Sequence, residues 1–516
     1  MKASVATRSS GNLAFMELDQ LDRFGIYTRL HFEDHSYRNI DEFRRAGSLA
    51  RLLRDYDIGR GNRVLAMMPN SPDLMASFPA VWSTGAAIIP VIPQWTAPEV
   101  ATILRDSEAS LILTAPSHAA RIAEAMRTAH SSQPLLVFGE SDVDHAINIA
   151  PLLAQLEPVE TPCEVSLSQL AILLYTSGTT GKPKGVVLTH GNVRSALEGA
   201  FRQNPGLEPG AMLHCLPLTH VYGILIQHLA NLWGWTTVLL RQFDSVRALE
   251  AIERHRVRYF PLVPTMAVYL LRHPERAKFD TSSLFRITSG GAALPEPLRV
   301  SLEQAFGCRV DQGYGLSESA SVATGYEVGS PYRSGSAGRA VPGVELSIMN
   351  DQGQPVPPGR IGEICIAGPN VTQGYWRDAD ATRTLLAGRW LRTGDVGYLD
   401  QDGYLYITDR KKDLIIKGGE NISPREIEEA IYLHQAVVEA AVVGIPDAVF
   451  GEQVCAVVQL MPGAKVTAEE MQEHIAKYVT RFKIPSQVVF APALPKNNSG
   501  KILKREIRER LADGGL

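Results

Sequence analysis

A loop that follows a short apolar segment carries the residue types that bind phosphate. The segment 172–175 reads ILLY, and residues 175–185 read YTSGTTGKPKG. Glycines let backbone N–H groups approach an anion closely, hydroxyls donate hydrogen bonds and lysines neutralise charge. The loop is not a Walker A motif, because only two residues separate Gly178 from Gly181 and a proline follows Lys182. The composition predicts a site for the β- and γ-phosphates of a nucleotide.

Four further motifs lie downstream of that loop. They read GYGLSES at 313–319, TGD at 393–395, DRKKDLIIKGGENISPREIE at 409–428 and PKNNSGKILKREI at 495–507. Together with YTSGTTGKPKGVVLTH at 175–190, they resemble, in order and spacing, the signature motifs of the adenylate-forming superfamily. This superfamily includes acyl-CoA synthetases, aryl-CoA ligases, peptide-synthetase adenylation domains and firefly luciferase. The resemblance covers essentially the whole chain.

The resemblance implies an ATP-dependent ligase that works in two steps. A carboxylate first attacks the α-phosphorus of ATP, so that pyrophosphate leaves and an acyl-adenylate forms; a thiol then attacks the acyl carbon and AMP leaves. The first step concentrates negative charge on the transferring phosphate, so cations and N–H donors must surround it. The residues implied to hold the phosphates are Thr176, Ser177, Gly178, Thr179, Thr180, Gly181 and Lys182, with Thr180 also placed in the catalytic set.

The resemblance also assigns the nucleoside and the metal. Tyr314 would stack on adenine, Gln312 would contact its amino group, and Asp395 would accept both ribose hydroxyls with help from Arg410. Glu318 would help to hold Mg²⁺, a hard cation that suits one carboxylate plus phosphate oxygens. The other positions assigned to the ATP site are Gly291, Gly313, Gly315 and Ser317, the last where the family often has threonine.

A mobile C-terminal domain is implied as well. Lys501 matches the family's catalytic lysine, whose ammonium would bridge the carboxylate, the α-phosphate and a ribose oxygen. Lys412 falls at the hinge position, about which the small domain would rotate between the two half-reactions. The positions implied to meet CoA in the second pose are Lys417, Gly418, Gly419 and Phe450. For Phe450, packing in a core or interface is the competing interpretation.

The acyl pocket of this family is lined by segments that here read LPLTHVYGILIQHL at 216–229 and SGGAALP at 289–295. The positions assigned to it are His220, Tyr222, Gly223, Gly290, Gly291 and Ala292. His220 would gate the pocket or contact the carboxylate, and ordinary packing of a hydrogen-bonded histidine is the alternative. The first segment holds no Asp or Glu to pair a substrate ammonium, and an unpaired buried ammonium is costly. An apolar acid, whether fatty, branched or aryl, is therefore expected.

Alternatives remain for the thiol that accepts the acyl group and for the class of activity. Fatty acyl-AMP ligases, which load carrier proteins, usually carry an insertion before the hinge, and residues 343–395 show no obvious one. CoA is favoured, although an acyl carrier protein presents the same phosphopantetheine thiol. A luciferase-like oxygenase would share the motifs, and a non-catalytic sensor would retain the fold. Intact Thr180, Glu318, Asp395 and Lys501 argue against such a sensor.

The elements that must position these residues alternate along the chain. Val64–Met68, Ala86–Val91 and Leu111–Thr114 read as buried strands, and Ser71 is expected to cap a helix that starts at Pro72. The alternation predicts an α/β fold with mainly parallel sheets. From about residue 335 short β-branched runs and turn residues predict a β-rich subdomain, 335–408. The resulting division is a large domain, 1–411, and a mobile α+β domain, 412–516.

Two capping boxes are predicted within that small domain. Ser423 and Glu426 would form one, with Pro424 in the first helical position, and Thr467 and Glu470 the other. The second helix should place Met471, Ile475, Tyr478 and Val479 on its apolar side.

Composition excludes several other classes of protein. The 516 residues are 45% hydrophobic and 21% charged, with a net charge of −4, so a sizeable core is expected and nucleic acid is not. Five cysteines without a CxxC pair disfavour a disulfide framework or a structural zinc site. The N-terminal residues lack the apolar run of a secretory signal and no apolar stretch reaches the length of a membrane span, so a cytoplasmic protein is expected.

Overall fold

Two seven-stranded sheets form the framework of the large domain. The structure, a computed structural model, describes residues 11–176, 183–204, 207–496 and 502–515. In the first sheet all neighbours are parallel except the last pair. Its strands, in spatial order, are Ala146–Asn148, Leu135–Val137, Leu111–Thr114, Arg63–Met67, Ala87–Pro90, Leu170–Thr176 and Lys184–Thr189. The prediction of mainly parallel sheets is confirmed.

The second sheet is built in the same way. Its strands, in spatial order, are Arg309–Gln312, Arg286–Ser289, Val257–Leu262, Ala211–His214, Thr236–Leu239, Thr28–Phe32 and His35–Arg38. Only the pair at the end, Thr28–Phe32 with His35–Arg38, is antiparallel. Parallel strands need helical crossovers, which place helices over both faces of each sheet.

Eleven of the described helices belong to this framework. They are Phe15–Phe24, Asn39–Asp55, Pro72–Thr84, Ala97–Ser107, Pro116–Ala129, Ala150–Leu153, His190–Gln203, Val221–Trp233, Ser245–His255, Pro264–Arg272 and Glu296–Phe306. The predicted cap is confirmed, because Ser71 Oγ accepts a hydrogen bond from the N–H of Leu74 at 3.2 Å.

The third sheet is antiparallel throughout. Its first strand begins at Thr324, which precedes residue 335, where the composition changes. The helix Ala379–Leu385 follows the strand Gly362–Ala367 along the chain. In spatial order its strands are Thr324–Gly325, Ser336–Ala340, Tyr404–Arg410, Trp390–Leu399, Gly362–Ala367 and Glu345–Met349, with Leu386–Ala387 beside Trp390–Leu399.

The small domain is a five-stranded sheet with three helices. Its strands are Ile415–Lys417, Glu420–Ile422, Val437–Asp447, Gly451–Leu460 and Gln487–Phe490, and its helices are Pro424–Tyr432, Ala468–Ile475 and Lys504–Ala512. The boundary at residues 411 and 412 stays a prediction. None of the described helices is long and apolar enough to cross a membrane.

The two predicted capping boxes have different outcomes. The box at Thr467 is confirmed, because its N–H donates to Glu470 Oε2 at 2.8 Å and its Oγ1 accepts from the Glu470 N–H at 3.2 Å. The box at Ser423 is wrong. The Ser423 hydroxyl bonds instead to the strand end at Thr408 and Asp409, and Glu426 pairs with Lys483. Tertiary partners outcompete the local cap at this helix.

The prediction for the apolar side of the helix Ala468–Ile475 is partly wrong as well. Met471 and Ile475 are fully buried, and Val479 is nearly so. Tyr478 lies beyond the end of the helix at Ile475 and is 53% exposed, because the chain has left the helical spacing there.

Candidate active site

A cleft of about 1360 Å³ lies where the two parallel sheets, the antiparallel sheet and the small domain meet. Strand ends supply much of its lining. Thr176 ends one parallel strand, Gly290 follows the strand Arg286–Ser289, and Gly313 follows the strand Arg309–Gln312. In parallel α/β sheets the carboxyl ends of the strands are the usual place for a ligand.

Among the residues that it describes, the structure brings most of the predicted site residues to this cleft. Those that line it are Thr176, His220, Tyr222, Gly290, Gly291, Gly313, Tyr314, Gly315, Ser317, Glu318, Asp395, Arg410 and Lys412. Ser177, Gly178, Thr179, Thr180, Gly181, Lys182 and Lys501 lie outside the described residues. Lys496 and Ile502 are the described residues on either side of the segment that contains Lys501, and both line the cleft.

The Asp395 carboxylate is the centre of a polar group on one wall. It is 5% exposed, and its Oδ2 accepts a hydrogen bond from the Tyr314 hydroxyl at 2.6 Å. Its Oδ1 lies 3.2 Å from Arg410 Nε. Burial and the adjacent Asp395 raise the pKa of Tyr314 well above its usual value, so the phenol stays a proton donor. Each carboxylate oxygen retains a second lone pair that can accept a ligand hydroxyl.

Glu318 faces the cleft from a neighbouring segment, and a tyrosine absent from the sequence predictions orients it. The Tyr375 hydroxyl donates to Glu318 Oε1 at 2.7 Å. The Glu318 carbonyl accepts from the Thr372 N–H at 2.8 Å, which fixes the backbone. Burial, followed by the Glu318 charge, raises the pKa of Tyr375. The tyrosine in VTQGYW at 371–376 was the available signal, but nothing local connects it to residue 318.

His220 lines the cleft and is the N-cap residue of the helix Val221–Trp233, whose apolar side chains form a pocket there. Its Nδ1 accepts a hydrogen bond from the Tyr222 N–H at 3.2 Å. A neutral imidazole that accepts through Nδ1 carries its proton on Nε2. The helix cap therefore sets the tautomer, and the remaining nitrogen is a donor.

The wall of that pocket comes from one side of the helix Val221–Trp233, which we call the pocket helix. Its lining side chains from this helix are Val221, Tyr222, Leu225, Ile226, Leu229 and Trp233. The Tyr222 hydroxyl donates to the Thr288 carbonyl at 3.2 Å, and burial raises the pKa of this phenol well above its usual value. A Cβ on Gly290 would lie 2.9 Å from the Tyr222 ring, so this glycine lets the ring pack against the strand end.

Three of the described residues predicted for the ATP site or the acyl pocket do not line the cleft. Gln312 is buried, and its amide bonds to the N–H of Leu294 at 3.1 Å and the carbonyl of Ser336 at 3.1 Å. Ala292 is exposed beside the cleft. Gly223 is buried within the pocket helix, where a Cβ would lie 2.1 Å from the Pro217 carbonyl oxygen. Gln312 and Gly223 thus hold the loop and the helix in the geometry that shapes the site.

Replacing Gly223 with Ala is expected to destabilise the protein by about 1–3 kcal/mol, because the helix must move away from Pro217 to accommodate a methyl group. Thermal unfolding measures the loss. The matched control is Gly59→Ala, where the added Cβ meets only the Thr84 carbonyl at 3.8 Å. An equal melting temperature for Gly223→Ala and the parent protein would contradict the packing argument.

The residues predicted to meet CoA lie on the small domain, outside the lining of the cleft. Lys417 Nζ donates to the Phe482 carbonyl at 3.0 Å and lies 5.9 Å from the centre of the Phe450 ring. Gly418 and Gly419 adopt left-handed backbone angles in the same turn. Phe450 is 46% exposed, so it is not a core residue. Burial lowers the pKa of Lys412, which does line the cleft.

Comparison with known families decides the identity of this arrangement. A model described as AMP-binding enzyme matches residues 19–376, and one described as AMP-binding enzyme C-terminal domain matches residues 426–501. The chain belongs to the AMP-binding enzyme family. The first match covers the cleft-lining strand ends, and the second covers most of the small domain.

Relatives of this AMP-binding enzyme match over nearly their full lengths. A long-chain-fatty-acid–CoA ligase of Bacillus subtilis is 34% identical, over 95% of this chain and 93% of that protein. A feruloyl-CoA synthase of an Amycolatopsis species is 35% identical, over 90% of this chain and 92% of that protein.

Solved structures agree with the fold of the AMP-binding enzyme. ATP-bound MatB from Rhodopseudomonas palustris is 28% identical over 98% of this chain and 100% of that chain, with a TM-score of 0.89. The same protein in its apo form gives a TM-score of 0.76 over the same shares. The o-succinylbenzoate CoA synthetase MenE from Bacillus subtilis, in complex with its acyl-adenylate, gives a TM-score of 0.83 at 29% identity, over 96% and 97% of the two chains.

Proposed function

We propose that this AMP-binding enzyme activates an apolar carboxylic acid and transfers it to the thiol of CoA. The reaction class is ATP-dependent formation of an acyl-CoA through an acyl-adenylate, with release of pyrophosphate and then AMP, and ATP and CoA are substrates of the family. The observation that carries the choice of acid is the apolar wall of the pocket helix, which opens onto the same cleft as Asp395 and Glu318.

The carboxylate end of the acid is proposed to sit near His220. Because Nδ1 accepts the Tyr222 N–H, the neutral ring carries its proton on Nε2, and this donor would turn to an acyl oxygen when the acid binds. Preorganised donors of this kind stabilise charge that develops during acyl transfer. The acyl chain or ring would then extend along Val221, Leu225 and Leu229. The pocket helix contributes no acidic side chain, which disfavours an amino-acid substrate.

The nucleoside is proposed to bind on the wall formed by Tyr314, Asp395 and Arg410. The Asp395 carboxylate is already held by the phenol and the guanidinium, so it can accept ribose hydroxyls without reorganisation. Gln312 is proposed to contact the adenine amino group. Because its amide is held by Leu294 and Ser336 outside the cleft lining, this contact would come from the end of its strand, next to Gly313.

The residues present fit a Mg²⁺ ion that accompanies ATP. Glu318 presents a carboxylate to the cleft, and the Tyr375 hydroxyl occupies only one of its oxygens. Mg²⁺ prefers oxygen ligands and commonly combines one or two carboxylates with substrate phosphates. When bound, the ion supplies charge neutralisation at the phosphates. Glu318 would hold it, and Thr176 with the loop at 177–182 would hold the phosphates.

The two half-reactions are proposed to use two poses of the small domain, with Lys412 at the hinge. In the pose described here, Lys496 and Ile502 border the cleft, which suits the first half-reaction and a role for Lys501 in it. The cleft lining does not include Lys417, Gly418, Gly419 or Phe450, which would meet CoA after rotation. An acyl carrier protein remains the alternative acceptor, since its thiol arm is the same.

Pyrophosphate release against a panel of carboxylic acids tests this function. We expect release that depends on an apolar acid, with acyl-CoA formed only when CoA is present, and little release with amino acids. Omission of the acid is the control. Acid-dependent release without acyl-CoA would move the acceptor to a carrier protein. Product formation that requires O₂ would identify a luciferase-like reaction, and absence of release with any acid would contradict the proposal.

A further inference from the structure

Two hydrogen bonds cross from the large domain to the small domain at one place. The helix Pro264–Arg272 of the large domain meets the strand Val437–Asp447 of the small domain there. The Thr265 hydroxyl donates to Glu439 Oε1 at 3.3 Å, and Arg272 Nη2 donates to the Val437 carbonyl. These contacts lie outside the residues assigned to ATP, the acid or CoA.

The Glu439 carboxylate is buried at this junction. Its side chain is 5% exposed, and its Oε1 also receives the ammonium of Lys496 at 2.6 Å. Its Oε2 and the Nη1 of Arg272 are buried and, among the residues that the structure describes, have no hydrogen-bond partner. A buried charge is costly unless it is paired, and the Lys496 ammonium provides that pairing for the Glu439 carboxylate.

Lys496 connects the junction to the cleft. It forms an isolated antiparallel bridge with Ile502, and both residues line the cleft. The short segment closed by that bridge contains residue 501. The Glu439 carboxylate therefore touches, through one oxygen, a helix of the large domain and the base of the segment that carries Lys501.

We propose that Glu439, Thr265, Arg272 and Lys496, the Glu439 latch, hold the small domain in the pose for the first half-reaction and so position Lys501. This inference rests on the proposed function. Rotation of the small domain must break the Thr265 and Arg272 contacts, while the Lys496–Glu439 pair lies within the small domain and moves with it. Glu439 is thus a positioning residue that touches no substrate.

The test separates the two half-reactions. Acid-dependent exchange of labelled pyrophosphate into ATP reports the first, and acyl-CoA formation from synthetic acyl-adenylate and CoA reports the second. For Thr265→Ala and Glu439→Gln we expect the first rate to fall by about 10-fold, the size of a typical coupling between two states, with an unchanged KM for ATP. The second rate should stay at or above that of the parent protein, because release from the first pose is easier.

Matched variants distinguish a latch from a general loss of stability. Thr265→Ala removes only the hydrogen bond from the large domain to the Glu439 carboxylate and leaves the Arg272–Val437 contact and the Lys496–Glu439 pair intact. The control is Glu426→Gln, which removes a carboxylate paired with Lys483 at 2.6 Å within the small domain; both half-reactions should keep their parent rates. The double variant Thr265→Ala, Glu439→Gln should lose no more of the first rate than Glu439→Gln alone, since residues of one contact are not additive.

Two results would overturn the latch. One is an equal fall in both half-reactions for Thr265→Ala, and the other is no change in either. Failure of the proposed function itself gives a different result, because the parent protein would then show no acid-dependent exchange at all.

Discussion

Replacing Lys501 with Ala is expected to lower the rate of acyl-adenylate formation by about 10²- to 10³-fold, because a cation that balances charge on the transferring phosphate is lost. The KM for ATP should change little, since the remaining phosphate and nucleoside contacts are intact. Pyrophosphate exchange measures the first half-reaction. Synthetic acyl-adenylate with CoA measures the second, which should retain most of its rate.

The control for this variant is Lys465→Ala, which removes an exposed lysine of the small domain. Its two half-reactions should match those of the parent protein. If Lys501→Ala forms the adenylate at the parent rate, the role assigned to Lys501 from its motif is wrong. If both half-reactions fall equally, Lys501 acts on the position of the domain rather than on the phosphate.

Replacing Asp395 with Asn is expected to raise the KM for ATP by about 10- to 100-fold. A hydrogen bond to a charged group contributes about 1.5–3 kcal/mol, and about 1.4 kcal/mol corresponds to a factor of ten in binding. The variant removes the charge that holds Arg410 at 3.2 Å and replaces one of the two acceptor oxygens with an NH2 donor, so a single oxygen must serve both the Tyr314 hydroxyl and the ribose. Titration of ATP at saturating acid measures the effect.

Asp351→Asn is the matched control for that substitution. Its side chain is 80% exposed and pairs with Lys411 at the surface, so the KM for ATP should not change. Burial and the adjacent Asp395 raise the pKa of Tyr314, so the phenol of the parent protein remains protonated across the neutral range. An unchanged KM for Asp395→Asn would rule out a ribose site on this wall.

Much of the fold could be predicted from local patterns, and the family motifs supplied thirteen of the residues that line the cleft. Ser71 and Thr467 cap helices as expected, because a cap depends on residues within one turn of each other. Ser423 does not, because the Asp409 carboxylate on a neighbouring strand accepts both the Ser423 hydroxyl and the Arg425 N–H in the first turn of the helix. The difference is that the competing partner of Ser423 is brought near only by tertiary packing.

The sequence by itself determined the family, the reaction class and the strand ends where the ligand site forms. Five motifs in order carry that information, and each motif is local. Tertiary structure alone decided which side chains act together. Tyr314 reaches Asp395, Tyr375 reaches Glu318, and Glu439 reaches Thr265 across separations of 81, 57 and 174 residues. Such pairs form only when packed sheets place distant segments side by side. The periodicity of one segment does not indicate which distant residue it will contact.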